Sequence, residues 1–484
     1  MTRVLPILHH DTHKPDRSVL EGARHTATGW WLEEAGAVEP RPPLDGPRDA
    51  DVVVIGGGYT GMWTAWNLLE AEPAARVVLL EGGLCGLGPS GRNGGFCESL
   101  WYSASAIRER FGAEPARRLL EAASRNVGEV GAWCRHNDVD AWFDQSGYLC
   151  VSTGEAFDGV GRASAHVAAE LGSPEAVQEL DEAHVRARCD SPSFRGGVFV
   201  PDFATVQPAR LALGLRRRLI ERGVELYERS RVLRLGPGPV AETAGGRVRA
   251  GSAVLAIGPR ARGVRPLRSR LTVTSSHIVL SEPVPDLLDE LGWTGGECMT
   301  DGRTLVHYFR TTRDRRILLG WGGGRIAWGA RVGGRAEVDA EVAARARADL
   351  ERMFPGTRGR RITHAWGGPI DVSPSHIPQV GSLPGVPVHF AFGYTGNGVG
   401  PSRLAGRILA SLALDRRDSF TRLPIVESGA GAWVPPEPLG WLGGTAIRSA
   451  MVRAEDAADR GERPDLLTRA LCAAPRAFGI HLGR

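Results

Sequence analysis

DVVVIGGGYTGMWTAWNLLEAEPAARVVLLEGGLCGLGPSGRNGGFCE spans Asp51 to Glu98 and sets two glycine clusters on either side of a strand-like run. Asp51 to Ile55 is an apolar run of strand length, and Thr60 to Glu70 has the pattern of the helix that follows it. Between them Gly56, Gly58 and Gly61 stand at the GxGxxG positions. They let the backbone turn tightly, approach a pyrophosphate and pack the helix close to the sheet. The helix N-terminus then faces the phosphates. A second strand, Arg76 to Leu80, ends at Glu81, where a carboxylate can accept hydrogen bonds from a ribose diol. Glycine spacing alone is a weak signal; strand, helix, second strand and terminal acid in register predict a dinucleotide-binding βαβ unit.

The second cluster is SGRNGG, Ser90 to Gly95. Far downstream, HFAFGYTGNGVGPSRLAGRILASLAL, His389 to Leu414, reads as a strand, a glycine-rich loop from Gly393 to Gly400 and a helix opening near Pro401. Such a loop gathers backbone N–H groups and a helix N-terminus at one point, a place for negative charge. A flavin develops such charge on reduction, at the N1 and O2 edge of its isoalloxazine.

The rest of the chain narrows the chemistry. Its 484 residues allow about three domains. The formal charge of +4 is small and the arginines are dispersed, which gives no case for a nucleic-acid partner. Lys14 is the only lysine, so a Schiff-base lysine in the core is excluded. Seven scattered cysteines without a CxxC pair point to a reducing compartment rather than to disulfides or a metal site. Met1 to Leu8 lacks the features of a signal peptide, and no run approaches about 18 consecutive apolar residues. A cytoplasmic protein without a membrane span is expected; the oligomeric state is not legible.

Along the chain, Met1 to Ala50 reads as an arm across the core, with Trp30 and Trp31 its dense apolar feature. Ser103 to Asn137 has helical spacing broken near Pro115, and Glu155 to Cys189 again looks helical. Pro208 opens a helix through Arg222. Val248 to Gly258 leads into a buried strand expected to rejoin the first sheet. Leu271 to Leu280, Thr304 to Arg310 and Arg316 to Trp321 alternate as strands of an antiparallel sheet.

Three motifs, GGGYTG with Glu81, SGRNGG, and WGGPIDVSPSHIPQVG followed by GYTGNGVGPS, resemble the FAD-dependent D-amino-acid oxidase and glycine oxidase superfamily from Asp51 to about Leu414. SGRNGG and the tail PPEPL, Pro435 to Leu439, are most similar to its gamma-glutamylputrescine oxidoreductase branch. The resemblance implies an α/β fold (α+β overall), in which an FAD-binding Rossmann-like domain of the glutathione-reductase type 2 kind is interleaved with a substrate domain on a mixed or antiparallel sheet. The expected pieces are an N-terminal arm at 1–50, FAD-binding parts at 51–98, 201–262 and 361–414, substrate parts at 99–200 and 263–360, and a tail at 415–484. By position, Gly56, Gly58, Tyr59, Thr60 and Gly61 would hold the pyrophosphate and Glu81 the adenosine ribose, with Gly82 also in the cofactor-binding set. Ser90, Arg92, Asn93, Gly94 and Gly95 would serve the pyrophosphate and isoalloxazine region. Val232 would meet the adenine through its backbone, with Gly258 joining the set. Gly396, Asn397, Gly398, Val399 and Gly400 would contact the isoalloxazine edge, with Gly393 and Thr395 also in the cofactor-binding set. Sarcosine-oxidase-type relatives carry a lysine where this chain has Gly400, which leaves oxygen or another acceptor open. Their flavin-attaching cysteine aligns near Gly368, which implies non-covalent FAD.

The expected reaction is oxidation of the C–N bond of a small amine or amino acid by hydride transfer to the flavin N5, followed by imine hydrolysis. It requires orientation and a dry pocket rather than a catalytic triad. His277, Tyr308, Arg310 and Trp366 are the candidate pocket residues: His277 to take a proton, Arg310 to clamp an anion, Tyr308 beside it on the same sheet face, and Trp366 as a wall. Each also has a structural reading as a core or sheet residue. The competing functions are a flavin monooxygenase, disfavoured by GYTGNGVG in place of a GD-containing segment, and a non-catalytic flavin-binding scaffold or inactive homologue. A nicotinamide-only dehydrogenase leaves SGRNGG without a role.

Overall fold

The computed structural model describes residues 5–6, 23–426, 433–477 and 480. Two nine-stranded sheets organise it. In the first, strand Gly46–Ile55 pairs in parallel with Gly246–Leu255 on one side and Val77–Leu80 on the other, with Leu255, Ile55 and Leu80 in register. Glu225–Tyr227 extends the parallel set beyond Val77–Leu80, and Val388–Phe392 extends it beyond Gly246–Leu255. Val52, Val53, Val54 and Ile55 are all buried, which explains why this strand reads as a continuous apolar run rather than an alternating one. Three segments far apart in the chain thus meet in one sheet, as the expected fold requires.

Helix Tyr59–Ala71 leaves the end of Gly46–Ile55 and packs against helix Val399–Ala413. The close approach is made at Gly406, where a Cβ would sit 2.7 Å from Trp63 Cβ. Helix Pro208–Glu221 lies beside them, its N-terminus capped by the Gln207 side chain, which accepts from the Arg210 N–H at 2.8 Å.

The second sheet carries the antiparallel core expected from the alternating strands: Ile362–Val372, Thr272–Ser281, Ile317–Trp321, His307–Thr311 and Cys298–Asp301 lie side by side. Helix Ala340–Met353 covers its outer face, burying Val342, Ala346 and Leu350. Ile362–Val372 pairs with Thr272–Ser281 along its length, so the chain from 361 onward starts in this sheet and returns to the first only at Gln379–Ser382.

Elsewhere the elements differ in detail from the sequence reading. The helical pair is Ala104–Phe111 and Ala113–His136, broken at Gly112 with φ +80° and not at Pro115, which sits harmlessly in a first helical turn. Glu155 to Cys189 is no continuous helix but helix Arg162–Glu170, strand Gln178–Leu180 and helix Glu182–Arg186. The arm does enter the core: Trp30 and Trp31 of helix Trp30–Ala35 pack with Trp142 and Trp366, and Glu34 pairs with Arg210 at 2.6 Å. No described helix is long and apolar enough to cross a membrane.

Candidate functional site

A chamber of about 1140 Å³ runs from the glycine turn after Gly46–Ile55 to the inner face of the second sheet. Its first end is built by close approaches that only glycine allows. Gly56 takes φ +111°, and a Cβ there would lie 2.3 Å from Ala256 O; at Gly61 it would lie 1.9 Å from Gly56 O. Gly56, Gly58, Tyr59 and Thr60 line the chamber, whereas Gly61 lies behind it and fixes the helix to the strand. The first intrahelical bond runs from the Met62 N–H to Gly58 O at 3.0 Å, so the helix opens at the chamber wall and turns the positive end of its dipole to it. Ser90 Oγ accepts the Tyr59 N–H at 2.8 Å and thereby ties SGRNGG to this turn. The Tyr59 phenol points away and donates to Pro208 O at 2.7 Å.

Glu81 stands at the end of Val77–Leu80, its carboxylate accepting from the Gly57 N–H and the Gly83 N–H, each at 2.7 Å. Burial raises its pKa against those two bonds. Gly82, Val232 and Gly258 line the same end of the chamber.

Ser90, Arg92, Asn93 and Gly94 line the middle. Asn93 Oδ1 accepts the Gly95 N–H at 2.7 Å while its Nδ2 donates to Ser90 O at 2.9 Å, which holds the cluster in one shape. Arg92 donates to Ala27 O at 2.6 Å and pairs with Glu337 at 3.0 Å, bridging arm, cluster and second sheet. Gly95 itself, φ +78°, faces the Val206 backbone rather than the chamber.

The late loop closes the third side through Thr395, Gly396, Asn397, Gly398 and Val399. Gly393 and Gly400 stand behind it. The Gly393 N–H donates to Asp371 Oδ2 at 2.6 Å, and burial pushes the Asp371 carboxyl up to about 6. At Gly400 a Cβ would lie 2.1 Å from Glu98 O, so the helix Val399–Ala413 is pressed onto the backbone that follows SGRNGG. Thr60 Oγ1 and Tyr394 Oη, 2.8 Å apart, join the early and late loops.

The four pocket candidates part company. Tyr308 lines the chamber with its hydroxyl 2.8 Å from Ser276 Oγ, and its ring lies over Gly94 and Gly320. Trp366 also lines it, with Nε1 donating to Arg92 O at 2.8 Å. His277 does not: Thr274, Ser276 and Ile278 of the strand face the chamber, and the alternation turns His277 to the other face, against Gly367. Arg310 shares a sheet face with Tyr308, but its guanidinium donates to Val206 O at 2.7 Å and Gly95 O at 3.2 Å. Burial lowers its pKa to about 10, and it braces two loops instead of reaching the chamber. Ser276, Asp371 and Arg448 were not singled out in the sequence. Period-two alternation in TVTSSHIVL could have found Ser276; nothing local marks the other two.

The glycine turn, acceptor carboxylate and late loop fit a flavin dinucleotide, whose pyrophosphate, ribose and isoalloxazine need these groups in this order. The chain belongs to the family of FAD dependent oxidoreductases (DAO), which it matches over residues 51–412. FAD is its cofactor. It is 30% identical over 429 residues to the probable oxidoreductase OrdL of Rhizobium meliloti (strain 1021), covering 85% of this chain and 91% of that protein. It is 27% identical to the gamma-glutamylputrescine oxidoreductase of Escherichia coli (strain K12), covering 83% of this chain and 92% of the relative. Among solved structures, glycine oxidase from Geobacillus kaustophilus superposes with a TM-score of 0.64 at 20% identity, covering 78% of this chain and 98% of that one. L-amino acid deaminase from Proteus vulgaris gives 0.65 at 16% identity over 81% and 99%.

Proposed function

We propose that the protein oxidises the C–N bond of a small amine or amino acid to an imine, which water then hydrolyses. When bound, FAD supplies the two-electron acceptor for the hydride that leaves the carbon bearing nitrogen. The observation that carries the reading is the wall where Thr274, Ser276, Tyr308 and Trp366 present neutral hydroxyl and ring surfaces to a chamber lined by both sheets. A neutral amine is the reactive form, and such a wall orients it without charging it. Helix Val399–Ala413 begins at one edge of the chamber, where its N-terminus stabilises negative charge. Names of relatives support an amine-type substrate, one of them acting on gamma-glutamylputrescine.

FAD is held without a covalent bond in this reading. None of the seven cysteines lines the chamber, and Gly368 occupies the wall where a cysteine attachment was expected to align. Acid precipitation of the yellow protein is expected to leave the flavin in the supernatant; a coloured pellet would contradict it. The reaction itself is tested by incubating the FAD-loaded protein with a panel of primary and secondary amines and measuring carbonyl product. Aldehyde or keto acid formed in step with amine loss supports C–N oxidation, and hydroxylated product would point to the monooxygenase instead.

A further inference from the structure

The family match ends at residue 412, yet the chamber is roofed by a helix that lies beyond it, Leu439–Asp459. Gly443, Ile447 and Met451 recur every four residues on one face of that helix, and all three line the chamber. The roof is fastened to the second sheet at both ends. Near its C-terminus Arg303 pairs with Asp459, Arg345 with Asp456 at 2.7 Å, and Glu455 accepts the Leu305 N–H at 2.9 Å. Near its N-terminus Glu437 accepts the Trp441 N–H at 2.8 Å and the Gly329 N–H at 2.9 Å. In between, Arg448 Nε and Nη2 donate to Gly323 O at 2.9 and 2.6 Å.

The three glycines of this helix differ in their surroundings. A Cβ at Gly440 would lie 2.6 Å from Pro435 O, and one at Gly444 would lie 3.3 Å from Ile326 Cγ2. Packing accounts for both. At Gly443 a Cβ would meet nothing within 4 Å among the described residues, although glycine inside a helix costs about 1 kcal/mol relative to alanine. Gly443 is exposed and lines the chamber, so the absent side chain leaves open space on the helix face it shares with Ile447 and Met451.

We infer that this helix selects the substrate: the apolar part of the amine remote from the reacting C–N bond occupies the space beneath Gly443. The inference rests on the amine-oxidising reading above and adds to it a substrate class, amines with a bulky apolar body. Arg448 turns Nε and Nη2 to the Gly323 carbonyl, and Gly443, Ile447 and Met451 offer this body hydrocarbon surface.

The test uses tert-butylamine and 1-adamantylamine, which carry no hydrogen on the carbon bearing nitrogen and are therefore bound but not oxidised. Binding to the FAD-loaded protein is read from the perturbation of its flavin absorbance. The wild type is expected to bind 1-adamantylamine about tenfold or more tightly than tert-butylamine. Gly443→Leu is expected to weaken 1-adamantylamine about tenfold and to leave tert-butylamine within about twofold. Gly443→Ala, the gentler change, shifts the same ratio in the same direction and carries the test if the leucine variant does not fold. A ratio unchanged in both variants overturns the inference, as does a wild type that binds neither amine. Size-dependent binding with no flavin reduction by benzylamine or any other oxidisable amine removes the reaction and leaves the roof's selectivity standing.

Discussion

Tyr308 Oη lies 2.8 Å from Ser276 Oγ on the wall of the chamber. Ser276 also donates to the Trp321 carbonyl at 2.9 Å, and a hydroxyl has one proton to give. The Tyr308 O–H is therefore the donor of the pair, and its oxygen keeps a lone pair to accept an N–H. Burial pushes this phenol up to about 12 while Ser276 pulls it down, so it is neutral throughout the working range. Tyr308→Phe is expected to lower kcat/KM for an amine by about tenfold to a hundredfold with an unchanged flavin spectrum, the loss of one hydrogen bond to an amine. Ser276→Ala should cost less, because the phenol keeps its place over Gly320. Full activity in Tyr308→Phe would remove the orienting role.

Gly61 tests the dinucleotide end. An alanine there must push its Cβ away from Gly56 O, 1.9 Å distant, which separates helix Tyr59–Ala71 from its strand. The purified Gly61→Ala variant is expected to lose most of its bound FAD and to unfold earlier, by about 1–3 kcal/mol of overpacking. A variant with full FAD content would show that this close approach does not shape the site.

The buried His307 ties the sheet that carries Tyr308 to the elements behind it. Its Nδ1 lies 2.6 Å from Asp301 and its Nε2 lies 3.0 Å from Asp349. Burial opposes the charge, but the two carboxylates outweigh it and raise the pKa from 6.5 to about 9. The stabilisation is thus complete below about pH 6.5 and is lost as the pH rises through about 9, an effect on the order of 3 kcal/mol. Glu455, which burial pushes up to about 7, acts in a lower window; burial holds the Cys97, Cys134, Cys189 and Cys298 thiols above their ordinary value, which weakens the fold above about pH 9 in wild type and variant alike, so the difference between the two proteins isolates His307. Thermal melts of the wild type are expected to fall across pH 7.5 to 10. His307→Gln should start lower and fall less; parallel curves would contradict the assignment.

Arg310 makes the opposite prediction from Tyr308. Its guanidinium holds the carbonyls of Gly95 and Val206, so Arg310→Met leaves the buried Val206 O without a donor, while Gly95 O keeps the Val206 N–H at 2.8 Å. The expected result is a stability loss of about 2–3 kcal/mol with an unchanged KM for the amine among the molecules that fold. A KM raised for acidic substrates alone would restore the anion-clamp reading.

Legibility in the sequence followed the range of the interactions. The turn at Gly56 to Gly61 and the acid at Glu81 are fixed by neighbours within one βαβ unit, so spacing and residue type were enough. The strand TVTSSHIVL showed its alternation but not which side faces the chamber. That depends on helix Ala340–Met353 covering the other face, and it turns His277 outward and Ser276 inward. Arg310 was read on the correct sheet face, yet its partners come from residues 95 and 206, which no local pattern announces. The roof helix was the least legible. Its contacts with Leu305, Arg303 and Arg345 are all long-range, and its glycines carry no motif.

In the proposed reaction this chamber passes electrons from an amine to FAD. Anaerobic mixing of the FAD-loaded protein with an amine panel, followed at about 450 nm, reads that step without regard to the final acceptor. At least one amine is expected to bleach the flavin fully, and Tyr308→Phe to slow the bleaching. A protein that holds its full complement of FAD and is bleached by none of them would contradict that reaction.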